Sequence, residues 1–328
     1  MAVEDLSSSD SVKPRYITIK HPKTIAILRI QDEILTAIRE SLRKQGFVEI
    51  LAPIIGPATD PGIRGAKIVS IDYYGAEFRL MSSMILYKQM AISSLGKIFS
   101  LSPNIRVELP ETLKTGRHLA EFRQIDIEEA FVTYEDAMHL AERIIVYTVK
   151  EVRKRCFKDL KVLDRKIKIP KKPFKRLTHR KAVDMLKSTG LKLRYEEEIP
   201  WDAEEIISAK HKEPFWIIDY PLTARGFYYL QDSKTGLLRD MDLILPDGFG
   251  EVISGGEREY EYGRVIKRFK KSGEDPEKYK WYLEMLKSGI PPSAGFGIGV
   301  ERLTRWICGL KTIWEAVPFP KVPGVVSL

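Results

Sequence analysis

The residues best placed to do chemistry in this 328-residue chain lie in the segment Gly295-Phe296-Gly297-Ile298-Gly299-Val300-Glu301-Arg302-Leu303. Its three glycines alternate along what reads as a strand, so they share one face. That leaves a floor without side chains, where a flat group can lie close to the backbone. Arg302 falls in the first turn of an apolar-periodic helix, where the helix dipole favours anions and a guanidinium adds a permanent forked charge. One reading is a nucleotide site, with a base on the glycines and phosphate at the arginine. The other is a tightly packed strand–helix corner with a surface arginine, and the segment alone leans to packing. The glycines lack the G-x-G-x-x-G spacing of dinucleotide folds, and no G-x-x-x-x-G-K-[ST] loop occurs anywhere in the chain. ATP bound here would be held by arginines and glycines in some other way.

The elements that must position these residues follow from periodicity. Ile27, Ile30, Ile34, Ile38 and Leu42 recur at helical spacing, with Gly46 as a natural stop. An extended segment over 47–55 follows, and 83–95 reads as a helix. Strands over 98–107 and 122–133 flank a polar loop and make a long hairpin. A helix over 134–156 carries the stripe Met138, Ala141, Ile145, Val149 and Val152. Beyond a basic loop come a helix near 180–188, short strands over 215–219, 226–230 and 241–245, and helices over 262–271 and 275–287. Strands joined by hairpins and long excursions indicate an α+β domain on an antiparallel sheet flanked by helices.

Composition narrows the class. A hydrophobic content of 44% with 30% charged residues fits a soluble globular protein. No apolar run approaches the ~20 residues of a membrane span, so no membrane partner is expected. Residues 1–14 read as a disordered lead, and 15–328 as the folded domain with a basic insertion around 150–181. Cys156 and Cys308 offer no framework, and a reducing cytoplasm is the expected location. The net charge of +9 is concentrated between Lys150 and Lys181, where fifteen Lys/Arg face three acids. A nucleic-acid surface and a solvated basic face are both open there. With only Phe157 and Phe174 as aromatics, it is no stacking platform for single strands.

Three segments taken together remove the ambiguity of the glycine run: Gly46 to Pro53; Arg106-Val107-Glu108 with Arg117-His118 and Glu121-Phe122-Arg123-Gln124-Ile125-Asp126 after a loop; and 295–303 itself. In order and character they resemble motifs 1, 2 and 3 of the class II aminoacyl-tRNA synthetases. Leu86-Tyr87-Lys88-Gln89, the stretch from Asp242 through Glu251 to Arg258, and Trp281-Tyr282-Leu283-Glu284 are similar to the aspartyl and asparaginyl branch. Those synthetases carry an N-terminal anticodon-reading domain of on the order of 100 residues. Only about fifteen residues precede the core here. The chain in this respect resembles archaeal asparagine synthetases related to that branch.

The resemblance implies an ATP site in which Arg106 bridges a carboxylate and the α-phosphate, Glu108 meets the adenine amino group and Phe122 stacks on the base. Arg117 and His118 reach the outer phosphates, and Arg302, next to Gly299, lies near the γ-phosphate. Asp242 and Glu251, with Ser254, are the implied Mg²⁺ ligands. Aspartate is expected on Ser83, Lys88, Gln124, Asp126 and Arg258, where two cations reward a second carboxylate. Ile85 stands where aspartyl enzymes have glutamine. That departure suggests a flipped aspartate whose β-carboxylate is activated, with ammonia then attacking the adenylate to give asparagine. The alternative is a truncated synthetase paralogue that transfers the amino acid to tRNA or a protein. The resemblance also implies a homodimer paired through the first motif.

Overall fold

The computed structural model describes residues 15–61, 65–272 and 275–325. The expected lead, residues 1–14, lies outside them. The strands are β1 (Val48–Glu49), β2 (Ile55–Gly56), β3 (Ser70–Tyr73), β4 (Ala76–Leu80), β5 (Lys97–Ile105), β6 (Glu121–Ala130), β7 (Lys175–Thr178), β8 (Phe215–Ile218), β9 (Asp240–Leu245), β10 (Gly250–Glu257) and β11 (Ser293–Gly299). The helices are α1 (Arg15–Thr18), α2 (Pro22–Arg43), α3 (Ile85–Leu95), α4 (Tyr134–Arg155), α5 (Phe157–Val162), α6 (His179–Lys187), α7 (Trp201–Ala209), α8 (Tyr262–Ser272), α9 (Lys280–Ser288) and α10 (Val300–Cys308).

Eight strands form one sheet in the order β1-β5-β6-β11-β10-β9-β8-β7, and β2-β4-β3 form a small second sheet. The pairings inside the large sheet are antiparallel, as the α+β reading expects. Its two edge pairings, β1 with β5 and β7 with β8, are parallel. Residues 226–230, expected as a strand, form no ladder, and Tyr229 makes an isolated bridge to Arg258. The expected helix over 275–287 is a 3₁₀ turn at Pro276–Tyr279 running into α9.

Period-two alternation divides the sheet into two working faces. Ile125 and Ile127 of β6, and Ala294, Phe296 and Ile298 of β11, are buried against the helices. The intervening Gln124, Asp126 and Glu128, and the three glycines of β11, point the other way. Each buried aliphatic or aromatic side chain contributes about 1.5–3 kcal/mol, and a one-residue slip would exchange the two sets. The register is therefore fixed by the same residues that aim the polar ones. Helices α2 and α4 cover the apolar face through the two stripes read from the sequence. Helix α4 begins at a capping box, with Thr133 Oγ1 accepting from Asp136 N at 3.3 Å and Asp136 Oδ2 accepting from Thr133 N at 2.9 Å.

Between α4 and β9 the chain makes an insertion with its own small core of Leu177, Val183, Leu186, Ile207, Phe215 and neighbours. The basic stretch expected as a helix end and a loop contains α5 and β7. Cys156 and Cys308 are free and buried. Among the described residues no helix is long and apolar enough to cross a membrane.

Candidate active site

Strand register lines up one row across the polar face: Ser100 beside Asp126, Asp126 beside Gly297, Gly297 beside Ser254, and Ser254 beside Asp242. Over this row lies a cavity of about 430 Å³. Small-ligand sites run to about 300–1,000 Å³. Its wall brings together Ser83, Lys88, Arg106, Glu108, Arg117, His118, Phe122, Gln124, Asp126, Glu251, Ser254, Arg258, Gly299 and Arg302. Of the site residues named from sequence, Asp242 alone is not on that wall.

At the inner end, Lys88 of α3 places Nζ 3.1 Å from Asp126 Oδ1 and 3.6 Å from Glu128 Oε2. Arg258 forks Glu128, donating from Nε at 2.9 Å and from Nη2 at 3.1 Å, while Ser293 Oγ donates to the same carboxylate at 2.9 Å. Both cations are thus paired with buried carboxylates. The charges of the floor are therefore balanced within the protein. What remains unspent is specific. Arg258 Nη1 and Asp126 Oδ2 are buried and have no hydrogen-bond partner among the described residues. Each such group costs about 1–3 kcal/mol. A ligand that brings one carboxylate and one ammonium group would relieve both. Ile85 adds an apolar patch to this end of the wall, and Tyr228 Oη donates to Asp60 Oδ1 at 2.9 Å beside it.

At the outer end Arg106 donates from Nε and Nη2 to Ser82 O, at 3.1 and 3.0 Å, and its guanidinium lies 5.2 Å from the Phe122 ring centre. Arg302 Nη1 is 3.0 Å from Glu251 Oε1. Its neighbour Glu301, also on the wall, accepts from Arg123 N with both oxygens at 3.0 and 3.1 Å, and burial pushes its carboxyl up to about 7.

The third wall comes from the insertion. Glu204 of α7 accepts from Arg117 Nη2 and from Glu251 N, each at 2.5 Å. Arg117 is therefore braced within the protein as well as lining the cavity. Gly250, at φ +72°, permits this, because a Cβ there would lie 2.3 Å from Arg117 Nη2. His118 holds Thr115 Oγ1 at 2.7 Å through Nδ1 and packs its ring on Trp201, centroids 4.2 Å apart. Sequence reasoning missed Glu204, Trp201, Glu198, Arg225, Asp60 and Tyr228. Their partners lie 15 to 168 residues away in the chain, and no local spacing signals such pairs.

The fit of Mg²⁺ can be judged from the donors. Among the described residues no group of three or more His, Cys, Asp or Glu could hold a metal ion. Mg²⁺ that enters with ATP commonly uses one or two carboxylates beside phosphate oxygens. Glu251, with Ser254 near it on the wall, fits that use. The carboxylate of Asp242 is instead held by Arg225.

Comparison with known proteins identifies the family. The family model described as tRNA synthetases class II (D, K and N) matches residues 8–323. The asparagine–tRNA ligase of Pyrococcus abyssi (strain GE5 / Orsay) is 33% identical over 314 residues, covering 94% of this chain and 71% of that relative. The corresponding ligase of Koribacter versatilis (strain Ellin345) is 36% identical over 319 residues, with 94% and 71% covered. The crystal structure of asparaginyl-tRNA synthetase from Pyrococcus horikoshii complexed with asparaginyl-adenylate matches with a TM-score of 0.89 at 31% identity, over 96% of this chain and 72% of that one. This chain belongs to the class II tRNA synthetase family of the D, K and N group.

Proposed function

We propose that the chain is an adenylate-forming ligase that joins a carboxylate of aspartate to the α-phosphate of ATP, releases pyrophosphate, and passes the acyl group to tRNA or a protein. The observation that carries the amino-acid part is the unspent pair on the cavity floor, Arg258 Nη1 and Asp126 Oδ2. A donor for a carboxylate and an acceptor for an ammonium, both buried, are what a zwitterion requires.

Activation brings two anions together, so it depends on charge neutralisation and positioning. Arg106 is positioned to bridge the attacking carboxylate and the α-phosphate. Phe122, beside it, offers a ring face to the base, with Glu108 at its amino group. Arg302, Arg117 and His118 face the outer phosphates. Bound Mg²⁺ would supply charge neutralisation on those phosphates, held by Glu251 with Ser254. The relatives named as asparagine–tRNA ligases support an RNA acceptor. So does the basic stretch, in which Arg153, Lys154, Lys158, Lys161, Lys166, Lys168, Lys171, Lys172 and Lys175 are all exposed. A homodimer is part of the same proposal, with Leu51 and Ile54, 97% and 60% exposed beyond the sheet-edge strand β1, as its apolar contacts.

The second reading, AMP-forming synthesis of free asparagine from aspartate and ammonia, is less well supported by the relatives' names. Ile85 favours it. An apolar side chain on the aspartate wall cannot hold the substrate's amino group, which suits an aspartate bound with its β-carboxylate toward ATP.

The test is ATP–pyrophosphate exchange with aspartate or asparagine, followed by product analysis with tRNA and, separately, with ammonium. Aspartate-dependent exchange and labelled tRNA are expected. Asparagine formed with stoichiometric AMP in the absence of tRNA would establish the second reading. Absence of exchange with either amino acid would refute both.

A further inference from the structure

Arg225, a residue of the loop before β9, is enclosed by three carboxylates. Its Nη1 lies 3.0 Å from Glu198 Oε2 and its Nε 3.2 Å from Asp240 Oδ2, while Nη2 donates to Asp242 Oδ2. The guanidinium stacks on the buried ring of Tyr220, 3.9 Å from its centre, and its side chain is 8% exposed. Asp240 Oδ1 is occupied as well, accepting from Tyr220 N at 2.9 Å. Arg225 forms part of the cavity wall. Asp242 shares the row of Ser254, Gly297 and Asp126, so by register it faces the same side as the residues proposed to hold ligand.

A carboxylate in that position is suited to a divalent cation arriving with ATP, yet its Oδ2 is held by Arg225 from within the protein. A guanidinium cannot lose its proton and presents all its donors in one plane, so three acids around its edge hold it in a fixed place. A hydrated Mg²⁺ would have to displace this fork from a buried setting and leave Arg225 facing its two remaining partners. Glu251 differs: it lines the open cavity, and its partner Arg302 lines it too.

We propose that Arg225 is a built-in cation that takes the metal position at Asp242, so that Glu251 is the carboxylate serving the Mg²⁺ that enters with ATP. On this view Arg225 is a positioning residue. It ties Glu198 of the insertion to β9 and takes the Asp242 carboxylate out of the set of ligands open to the metal. The inference rests on the site's binding ATP with a divalent metal and is independent of which acceptor takes the acyl group.

Electron paramagnetic resonance of Mn²⁺, titrated into the protein with a non-cleavable ATP analogue, reads the point directly. Asp242→Asn should leave the Mn²⁺ stoichiometry unchanged and its affinity within twofold, because Arg225 keeps Glu198 and Asp240. Glu251→Gln should weaken Mn²⁺ at least tenfold. Arg225→Met should open the Asp242 carboxylate to the metal, tighten Mn²⁺ at least threefold and give a melting temperature that rises with Mn²⁺. Loss of an ion or a tenfold weakening in Asp242→Asn overturns the proposal whether or not Arg225→Met folds. So does a folded Arg225→Met whose Mn²⁺ affinity is unchanged. If the unaltered protein shows no nucleotide-dependent Mn²⁺ at all, the ATP reading falls and this proposal with it.

Discussion

Gly295 and Gly297 look equivalent in sequence, and the structure separates them by what a methyl group would meet. Neither has a positive φ, so an L-residue is tolerated by the backbone at both. At Gly297 a Cβ would lie 3.2 Å from Gln124 Nε2 and 3.4 Å from Asp126 Oδ1, side-chain ends that can give by a few tenths of an ångström. Overpacking of this kind costs about 1–3 kcal/mol, and the stiffer unfolded chain of an alanine variant returns about 0.4–1 kcal/mol. Gly297→Ala should therefore fold, with a net loss of about 1 kcal/mol. Its methyl, however, projects into the cavity, and one methyl group in a fitted pocket changes binding by about 10–200-fold. At Gly295 the Cβ would lie 2.1 Å from Glu128 Oε2 and 2.2 Å from Ile127 O, one of them backbone and the other the carboxylate that braces Arg258. Gly295→Ala should cost about 3 kcal/mol or more, because it breaks a buried ion pair as well as the packing. Thermal melts separate the stabilities, and calorimetric titration with ATP and aspartate reads the affinity. A folded Gly297→Ala with unaltered affinity for both ligands would refute the assignment of the floor. A Gly295→Ala melting within a degree or two of the unaltered protein would refute the steric argument itself.

Glu204→Gln should strand the buried charge of Arg117, at a cost of about 3–5 kcal/mol in denaturant unfolding. Pairing Arg117→Met with Glu204→Leu should recover much of that loss, and an additive double variant would count against the coupling. His179, buried on the insertion with Nε2 3.0 Å from Glu197 O, is depressed by burial to about 4 from the usual 6.5. The unfolded chain then takes up the proton first, so stability should be full above about pH 6.5 and fall by roughly 3 kcal/mol as pH drops through about 4. Urea midpoints between pH 4 and 7 check this, and His179→Gln should flatten the slope across that window.

Much of the molecule is legible in the sequence because local periods encode it. The stripes of α2 and α4 follow the 3.6-residue repeat. The alternation in Gln124-Ile125-Asp126-Ile127-Glu128 and in Ala294-Gly295-Phe296-Gly297-Ile298 assigns each residue to core or site. These patterns determined the α+β class, the register and most of the cavity wall. Where the period was weak, the reading failed: 226–230 carries strand-forming aromatics, but Tyr228 and Tyr229 are packed around the cavity and form no ladder.

Tertiary structure alone decided how charges pair. Asp242 reads as a metal ligand until Arg225, which is 17 residues away and anchored by Glu198, is seen to hold it. Lys88 and Arg258 read as two cations for a carboxylate, and only the fold pairs them with Asp126 and Glu128 and leaves one donor and one acceptor unspent. Arg117 reads as a phosphate contact, and only the fold shows that Glu204 of α7 braces it. An ion pair depends on distance and burial, and a sequence lists charges without either. The side chains available for chemistry are therefore determined by the chain, while the packed fold decides which of their charges remain to meet a ligand.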